Sequence, residues 1–422
     1  MARRRLPRNV IALSLVSFFT DASSEMIYPL IPTFLATALG ASALSVGAIE
    51  GTAESVASVL KFLSGWWSDR VSRRKPLVVA GYGIASLLRP LIGLAQSVTH
   101  VFAIRIGDRI GKGIRSSPRD ALIADSVDAA ERGRAFGVHR AADHLGAVVG
   151  PLVAFMLLQW AGVSMRTVFL LAAIPAALAM VVLVFMVRET PRAAQVPAPR
   201  ADASLRSAAD AAPIASAATA SVANAATATR TESAVAVPLG RRFYAYLAVL
   251  LLFTLGNSTD AFLLLRARDV GVPLAFLPLL WAALHVVKSA ASAPGGALSD
   301  RLGRRALIVA GWLVYGGVYL GFAAAGAAWH IWALMLVYGV YFGLTEGVEK
   351  ALVADLVPAA ARGRAFGWYN LSLGLGALPA SLLFGALWDH FGAPAAFTFG
   401  AALAGLAALA LLAVIPAGRI ET

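Results

Sequence analysis

Cysteine is absent from the 422-residue chain, which removes disulfide staples, Cys-ligated zinc, iron–sulfur clusters and thiol catalysis together. Charge is scarce as well: 14% of residues are Asp, Glu, Lys or Arg, against about 25% in soluble globular domains. The chain has no G-x-x-x-x-G-K-[ST] phosphate loop and no H-E-x-x-H metal motif, so an ATP-driven pump and a zinc hydrolase are both disfavoured. Gly111-Lys112-Gly113 is no phosphate loop, because it lies inside an apolar helical run. The six His residues, at 100, 139, 144, 285, 330 and 390, are scattered apart from the first-half pair His139 and His144. No metal site and no cofactor is expected.

What the chain has in excess is apolar surface, with 59% hydrophobic residues and a mean hydropathy of +0.74. An interior of this length cannot hide that much apolar side chain from water, so the remaining solvent is the lipid bilayer. A bilayer core about 30 Å thick takes about 20 apolar helical residues per crossing. Twelve runs of that kind are present, at 9–36, 43–66, 76–96, 99–118, 135–160 and 164–187, then 243–265, 273–298, 305–325, 329–349, 364–387 and 392–416. The N-terminal Arg residues lead into a run too long for a signal-peptide core, which is read as helix 1. Residues 190–242 turn to Ala, Ser, Thr, Pro and scattered Arg, a composition that cannot bury enough to fold and reads as a flexible linker. The organisation expected is a six-helix half over 1–189, the linker over 190–242 and a second six-helix half over 243–422.

Thirty-six Lys and Arg against 23 Asp and Glu give a net charge of +13. These cations sort by side. The N-terminal tail, the 2–3 loop (Arg70, Arg73, Arg74, Lys75), the 4–5 loop (Arg119, Arg132, Arg134), the linker, the 8–9 loop (Arg301, Arg304, Arg305) and the 10–11 loop (Arg362, Arg364) are basic. The alternate loops are nearly bare, with Arg166, Arg266 and Arg268 as exceptions. The positive-inside rule then puts both termini and the linker in the cytoplasm, and the charge implies orientation with no nucleic-acid partner.

The two halves repeat each other. Gly65-Trp66-Trp67-Ser68-Asp69-Arg70-Val71-Ser72-Arg73-Arg74 returns as Gly296 to Arg305 with Ser299-Asp300-Arg301 in register, 231 positions on. Arg132-Gly133-Arg134-Ala135-Phe136-Gly137 returns unchanged at Arg362 to Gly367, 230 positions on. Each copy falls in the same loop of its half, so the halves share one topology and are related by an axis along the membrane normal, an arrangement found in one large transporter class.

On these residues the chain resembles the major facilitator superfamily. The 2–3 loop signature of that family, G-x-x-x-D-R-x-G-R-R, is met by Gly65, Asp69, Arg70, Arg73 and Arg74 with Ser72 for the second Gly, which the second copy restores as Gly303. The helix 4 signature is met by Arg109 and Gly113, with Lys112 where Gln is usual. The helix 5 antiporter signature is met by Gly146, Gly150 and Pro151, with Ala154 in place of its last Gly. The resemblance implies an all-α membrane protein of twelve transmembrane helices in two parallel six-helix repeats. It also implies a gate at Gly65, Asp69 and Arg70 with Gly296, Asp300 and Arg301, and close helix packing at Gly146, Gly150 and Pro151. Arg73, Arg74 and Lys75 are assigned to membrane orientation alone. The stretches Asp21 to Pro29 and Asp108 to Arg115 look like a bacterial branch of efflux carriers.

Ionisable groups at membrane depth cost at least about 2.5–3.5 kcal/mol each and are normally paired and functional. In helix 4, Arg105, Asp108, Arg109, Lys112 and Arg115 share one helical face, and a cavity wall is the natural reading. Helix 2 adds Glu50, Glu54 and Lys61, and helix 1 adds Asp21 and Glu25. In the second half, His285 stands at the position of Glu54, with Lys288 nearby, and helix 7 supplies Asn257 and Asp260. A desolvated carboxylate gains proton affinity and a neighbouring Arg removes it, so Asp21, Glu25, Glu54 and Asp108 are the proton-coupling candidates, with Arg109 as the pairing charge. The cavity and substrate candidates are Arg105, Arg109, Lys112, Asn257, Asp260, His285 and Lys288. The first half's intramembrane charges balance at six of each sign (Asp21, Glu25, Glu50, Glu54, Asp108, Asp143; Lys61, Arg89, Arg105, Arg109, Lys112, Arg140), so substrate charge is not read from composition. Packing alone is the bland alternative for any one of these residues, but five charges on one face of helix 4 exceed what packing needs.

The expected function is alternating-access transport of a small molecule or ion across a bacterial cytoplasmic (inner) membrane by a monomer, as proton-coupled efflux driven by a proton or ion gradient. The alternatives are an uptake symporter of the same fold, a membrane enzyme or lipid-handling protein, and a scaffold that docks through its linker. The last would make residues 195–235 essential, whereas two packed halves do not need that reach.

Overall fold

A computed structural model describes residues 6–68, 71, 73–127, 132–189, 239–358 and 361–415. Residues 190–238, which include nearly all of the segment read as a linker, and Asp69, Arg70 and Ser72 of the gate signature lie outside them.

The described residues form twelve helical columns: α1 (Arg8–Ala38), α2 (Ala43–Ser68), α3 (Lys75–Leu94), α4 (Val98–Asp125), α5 (Arg132–Gln159), α6 (Met165–Met186), α7 (Arg241–Asp269), α8 (Phe276–Leu302), α9 (Arg304–Ala324), α10 (Ala328–Asp355), α11 (Arg362–Phe391) and α12 (Ala393–Val414). Nine of the described helices are long and apolar enough to cross a membrane. Of the other three columns, α2 and α4 carry several charges within their runs, Glu50, Glu54 and Lys61 in one and Arg105 to Arg115 in the other, and α8 contributes the shorter apolar stretch Phe276–Ser292 among its described residues. Several columns also outrun the apolar stretches read from sequence. α4 continues to Asp125 and α10 to Asp355, since a helix keeps its hydrogen bonds as it passes from hydrocarbon into the polar interface.

Irregular backbone at membrane depth is satisfied internally, as lipid demands. α7 breaks at Asn257-Ser258-Thr259-Asp260, where short polar side chains compete with the helix for backbone groups. There Tyr315 donates its hydroxyl to the Gly256 carbonyl at 2.9 Å, and Ser381 accepts from the Thr259 amide at 3.3 Å. At the discontinuity of α6, Ser23 donates to the Ala172 carbonyl at 2.9 Å.

The repeat extends to individual hydrogen bonds. Arg74, at the start of α3, pairs with Asp125 at the end of α4, and 230 positions on Arg304 pairs with Asp355 at 3.4 Å. Lys75 donates to the last carbonyls of α6, Val184 and Val187, as Arg305 does to Leu412 and Ile415 at the end of α12. Arg74 and Lys75 therefore tie helix ends together in addition to any part in orientation. Two of the basic exceptions on the otherwise bare loops are explained the same way. Arg166 takes the carbonyls of Gly93 and Ala95, and Arg266 those of Ala323 and Ala325, cations placed on the carbonyls that a helix C-terminus leaves open.

Between the halves, α2 packs along α11 and α5 along α8. At the end of the bundle away from the chain termini, the two carboxylate oxygens of Asp389, in α11, accept from the amides of Ala43 and Leu44 at 2.9 Å each. That is one half capping the first turn of a helix in the other. At the same end Phe155 meets Phe276, with ring centroids 5.5 Å apart.

The signature glycines of α5 sit on the α1 backbone. A Cβ on Gly150 would lie 3.0 Å from the Cα of Ala22, and one on Gly146 3.1 Å from the Ala22 amide nitrogen, so the close approach that small residues permit is in use here. Gly150→Ala is expected to cost about 1–3 kcal/mol and to lower the thermal midpoint of the purified protein. Gly405→Ala, where a Cβ meets nothing within 4 Å, is expected to leave the midpoint unchanged; equal midpoints for the two variants would contradict this packing.

Candidate functional site

The buried apolar side chains of the first half form two clusters. One surrounds Phe34, Ile92 and Phe169 at the end remote from the termini, and the other surrounds Leu13, Tyr82 and Leu183 at the termini end. The charged residues of α2, α3 and α4 fill the layer between them. Arg105 grips Glu50 with both arms of its fork, Nε to Oε1 at 2.8 Å and Nη2 to Oε2 at 2.5 Å, and its Nη1 lies 3.7 Å from Asp108 Oδ2. Arg89 donates to Asp108 Oδ1 from Nη2 at 2.8 Å and from Nε at 3.2 Å, and its Nη1 reaches the Thr20 carbonyl at 3.0 Å. All four side chains are buried, at 2–5% exposure, and the ladder joins α2, α4, α3 and α1.

This corrects the pairing read from sequence. Asp108 is held by Arg89 and Arg105, not by Arg109, whose Nε has no hydrogen-bond partner. Arg89 was countable among the intramembrane bases, but its partner was not legible, because it begins the 3-10 stretch Arg89–Leu94 of α3, off the face of α4.

One turn beyond Glu50, Glu54 is only partly buried and makes no ion pair within 4 Å among the described residues. The cations whose fields fall on it are Lys112, Arg109, Lys61 and Arg105. Asp21 is likewise partly buried, with Asp143, Glu25, Arg115 and Arg119 around it. Glu25 reaches across to the second half, where Trp281 of α8 donates its indole N–H to Oε2 at 2.8 Å. The same indole packs on Tyr28, and the Arg105 guanidinium lies 5.8 Å from the centroid of the Tyr28 ring. Arg105 of α4 therefore lies beside the aromatic pair that spans the seam between the halves.

On the opposite side of that seam, Lys288 pairs with Glu346 at 3.2 Å and sits 4.0 Å over the Phe342 ring. Both ring nitrogens of His285 lack a hydrogen-bond partner, and the ring lies 5.1 Å from that of Trp281. Asp260 accepts from the Tyr338 hydroxyl at 2.7 Å, and Asn257 stands, partly exposed, at the break of α7. Among the gate residues, Gly65 faces Ser117 of α4, Gly296 lies within α8, and Arg301 is exposed in its last turn. The side chain of Asp300, like Asp69 and Arg70, lies outside the described residues.

Sequence reasoning missed Glu349. It is buried in α10 and accepts from the Trp312 indole at 3.0 Å and from the Tyr369 hydroxyl at 3.0 Å. Helix 10 was read as ending at this residue, and Glu349 was not counted among the intramembrane charges. The repeat carried a signal, since Glu349 stands 230 positions after Arg119, a partly buried cation of α4.

Two parallel six-helix repeats, helices of membrane-spanning length and a charged layer facing the seam define a polytopic membrane protein of the transporter type. The Major Facilitator Superfamily model matches residues 13–345 and 245–421. The chain belongs to that superfamily. It is 32% identical over 420 residues to an uncharacterized MFS-type transporter of Methanocaldococcus jannaschii, covering 97% of this chain and 95% of that protein. A shorter match, 33% identical over 156 residues, joins 35% of this chain to 38% of the multidrug resistance protein MdtH of Photorhabdus laumondii. Among solved structures, a POT family transporter in complex with a thioalcohol-conjugated peptide superposes with a TM-score of 0.75 at 12% identity, over 97% of this chain and 98% of the other. The nucleoside transporter NupG superposes with a TM-score of 0.74 at 13% identity, over 96% and 100%. These two establish the likeness of fold.

Removing one partner from a buried ion pair leaves the other charge uncompensated, at about 3–5 kcal/mol. Asp108→Asn is therefore expected to lower the thermal midpoint of the purified protein sharply, and adding Arg89→Gln is expected to recover part of the loss. A single variant as stable as the parent would show that the ladder does not hold the half together.

Proposed function

We propose that the chain is a secondary transporter that exports a small solute from the cytoplasm across a bacterial inner membrane, exchanging it for protons by alternating access. The observation that carries this reading is the charged layer at the seam. Glu54, Asp21 and Glu25 stand partly buried in the first half, and Glu25 reaches Trp281 of the second half, whose ring lies 5.1 Å from that of His285. A group with no fixed salt-bridge partner can change its proton occupancy as the halves rock, whereas one locked between two guanidinium groups cannot do so cheaply. Asp108 thus anchors the layer, and proton traffic falls to Glu54, Asp21 and Glu25.

Contacts that hold in one state and break in the other supply the gate. The Asp389 cap on α2 and the Trp281–Glu25 hydrogen bond join the halves away from the chain termini. The basic loops argue that the termini face the cytoplasm, which makes these contacts a closed periplasmic side. The local similarity to a multidrug resistance protein favours export over uptake. No second class of function has an observation of its own in support.

Purified protein in liposomes, loaded on the side of the termini and given an opposing pH gradient, tests the coupling. Glu54→Gln and Glu25→Gln are expected to remain folded in the membrane and to lose at least 10-fold in gradient-driven flux. Flux that keeps its pH dependence in both variants would overturn the assignment, and net accumulation in the opposite direction would make the protein an uptake symporter.

A further inference from the structure

Composition balances the intramembrane charges of the first half, but geometry does not. Two acids of the layer, Glu50 and Asp108, are consumed by Arg105 and Arg89. α2 packs along α4, and the two are joined at this level by Ser64 donating to the Gly113 carbonyl and Ser117 to the Lys61 carbonyl, at 2.8 Å each; on this pair of helices that leaves Lys61, Arg109 and Lys112 with a single carboxylate, Glu54. None of these three cations has an ion pair within 4 Å among the described residues, and all three keep accessible surface at membrane depth. One helical turn beyond Lys112, Arg115 is 5% exposed and stacks 4.2 Å over the Tyr82 ring, while its Nε and Nη1 have no hydrogen-bond partner. The Arg109 Nε is unpartnered as well.

The other acids do not cancel this patch. Asp21 and Glu25 belong to α1, with Asp143 of α5 beside Asp21, and Asp143 already faces His139 and Arg140 at 3.7 Å. Across the seam, Lys288 is neutralised by Glu346, and Asp260 is tied to Tyr338. Three partly buried cations against one carboxylate at membrane depth set up a positive potential stronger than the same charges would in bulk water. A guanidinium with a free fork edge is suited to a planar or tetrahedral oxyanion.

We propose that the α2–α4 face is the binding site for an anionic solute, one that brings a carboxylate or phosphate group to Arg109, Lys112 and Lys61 in competition with Glu54. This rests on the transporter reading and names the substrate class that the reading leaves open. Glu54 is then the internal counter-ion that the solute displaces.

The test is equilibrium binding to the purified full-length chain at fixed ionic strength, by calorimetric titration and thermal shift, with inorganic phosphate, glucose 6-phosphate and citrate as probes and tetraphenylphosphonium as the cationic comparison. At least one of the three anions is expected to bind saturably, and citrate against the two phosphates tells carboxylate from phosphate preference. Lys112→Gln and Arg109→Gln are expected to weaken that binding at least 10-fold, and Glu54→Gln to tighten it. Lys61→Gln serves where either of the first two does not fold. Binding of tetraphenylphosphonium alone, binding of none of the three anions, or anion binding that is equal in the Lys and Glu54 variants would overturn the proposal. Saturable anion binding without flux of any solute in liposomes would keep this site and remove the transporter reading. Flux of cations with no anion binding would do the reverse.

Discussion

A guanidinium carried to the middle of a hydrocarbon layer must bring its counter-ion with it, because neither lipid nor distant water can compensate its charge. The ladder Glu50–Arg105–Asp108–Arg89 meets that demand twice within one half, and the surrounding architecture follows from it. It binds α2, α3, α4 and α1 at one depth, between two apolar clusters that could otherwise slide against each other. It also fixes the register of the charged face of α4, so the groups beyond its ends, Arg109, Lys112 and Glu54, stay partly buried without an ion pair within 4 Å among the described residues.

The second half solves the same packing problem with aromatic rings in place of ions. Trp312 stacks on Phe253 at 4.5 Å and Tyr315 on Tyr319 at 4.1 Å, with Tyr338 and Tyr341 beside them. Such rings keep their hydroxyl or indole donors available, as Tyr338 does for Asp260 and as Trp312 and Tyr369 do for Glu349. A half braced by ions and a half braced by rings share one set of end contacts, from Arg74–Asp125 and Arg304–Asp355 to His100 and His330, which accept from the amides of Gln96 and Gly326. The framework the two halves share is at the helix ends, and the chemistry differs in the layer between them.

Much of this was legible in the chain itself. The twelve columns, the two-fold repeat and the charged stripe of α4 all followed from hydropathy, offset and helical period. Partner choice was not legible, because Arg89 meets Asp108 across two helices, a relation no spacing within one helix encodes. Glu349 was lost through a boundary, since α10 runs past the apolar stretch that was taken to end it. The charge tally misled for a related reason: six against six describes a composition, whereas which charges remain available depends on who is already paired. Arg74 and Lys75 were read as orientation signals, and only the structure shows them fastening the ends of α4 and α6.

The absence of cysteine makes the central claim directly measurable, because label pairs can be introduced into an otherwise unreactive chain. One pair is placed at Ala38 and Asp269, exposed positions on the two halves away from the termini, and a second at Arg73 and Leu302 near the opposite end. Spin-label distances for both pairs are recorded in lipid at high and low pH, with and without a bound anion. Rocking about a seam lined by the free charges of α2 and α4 predicts opposite changes, one distance lengthening as the other shortens, and the response is lost in Glu54→Gln. Two distances that stay fixed, or that change in the same direction, would contradict it.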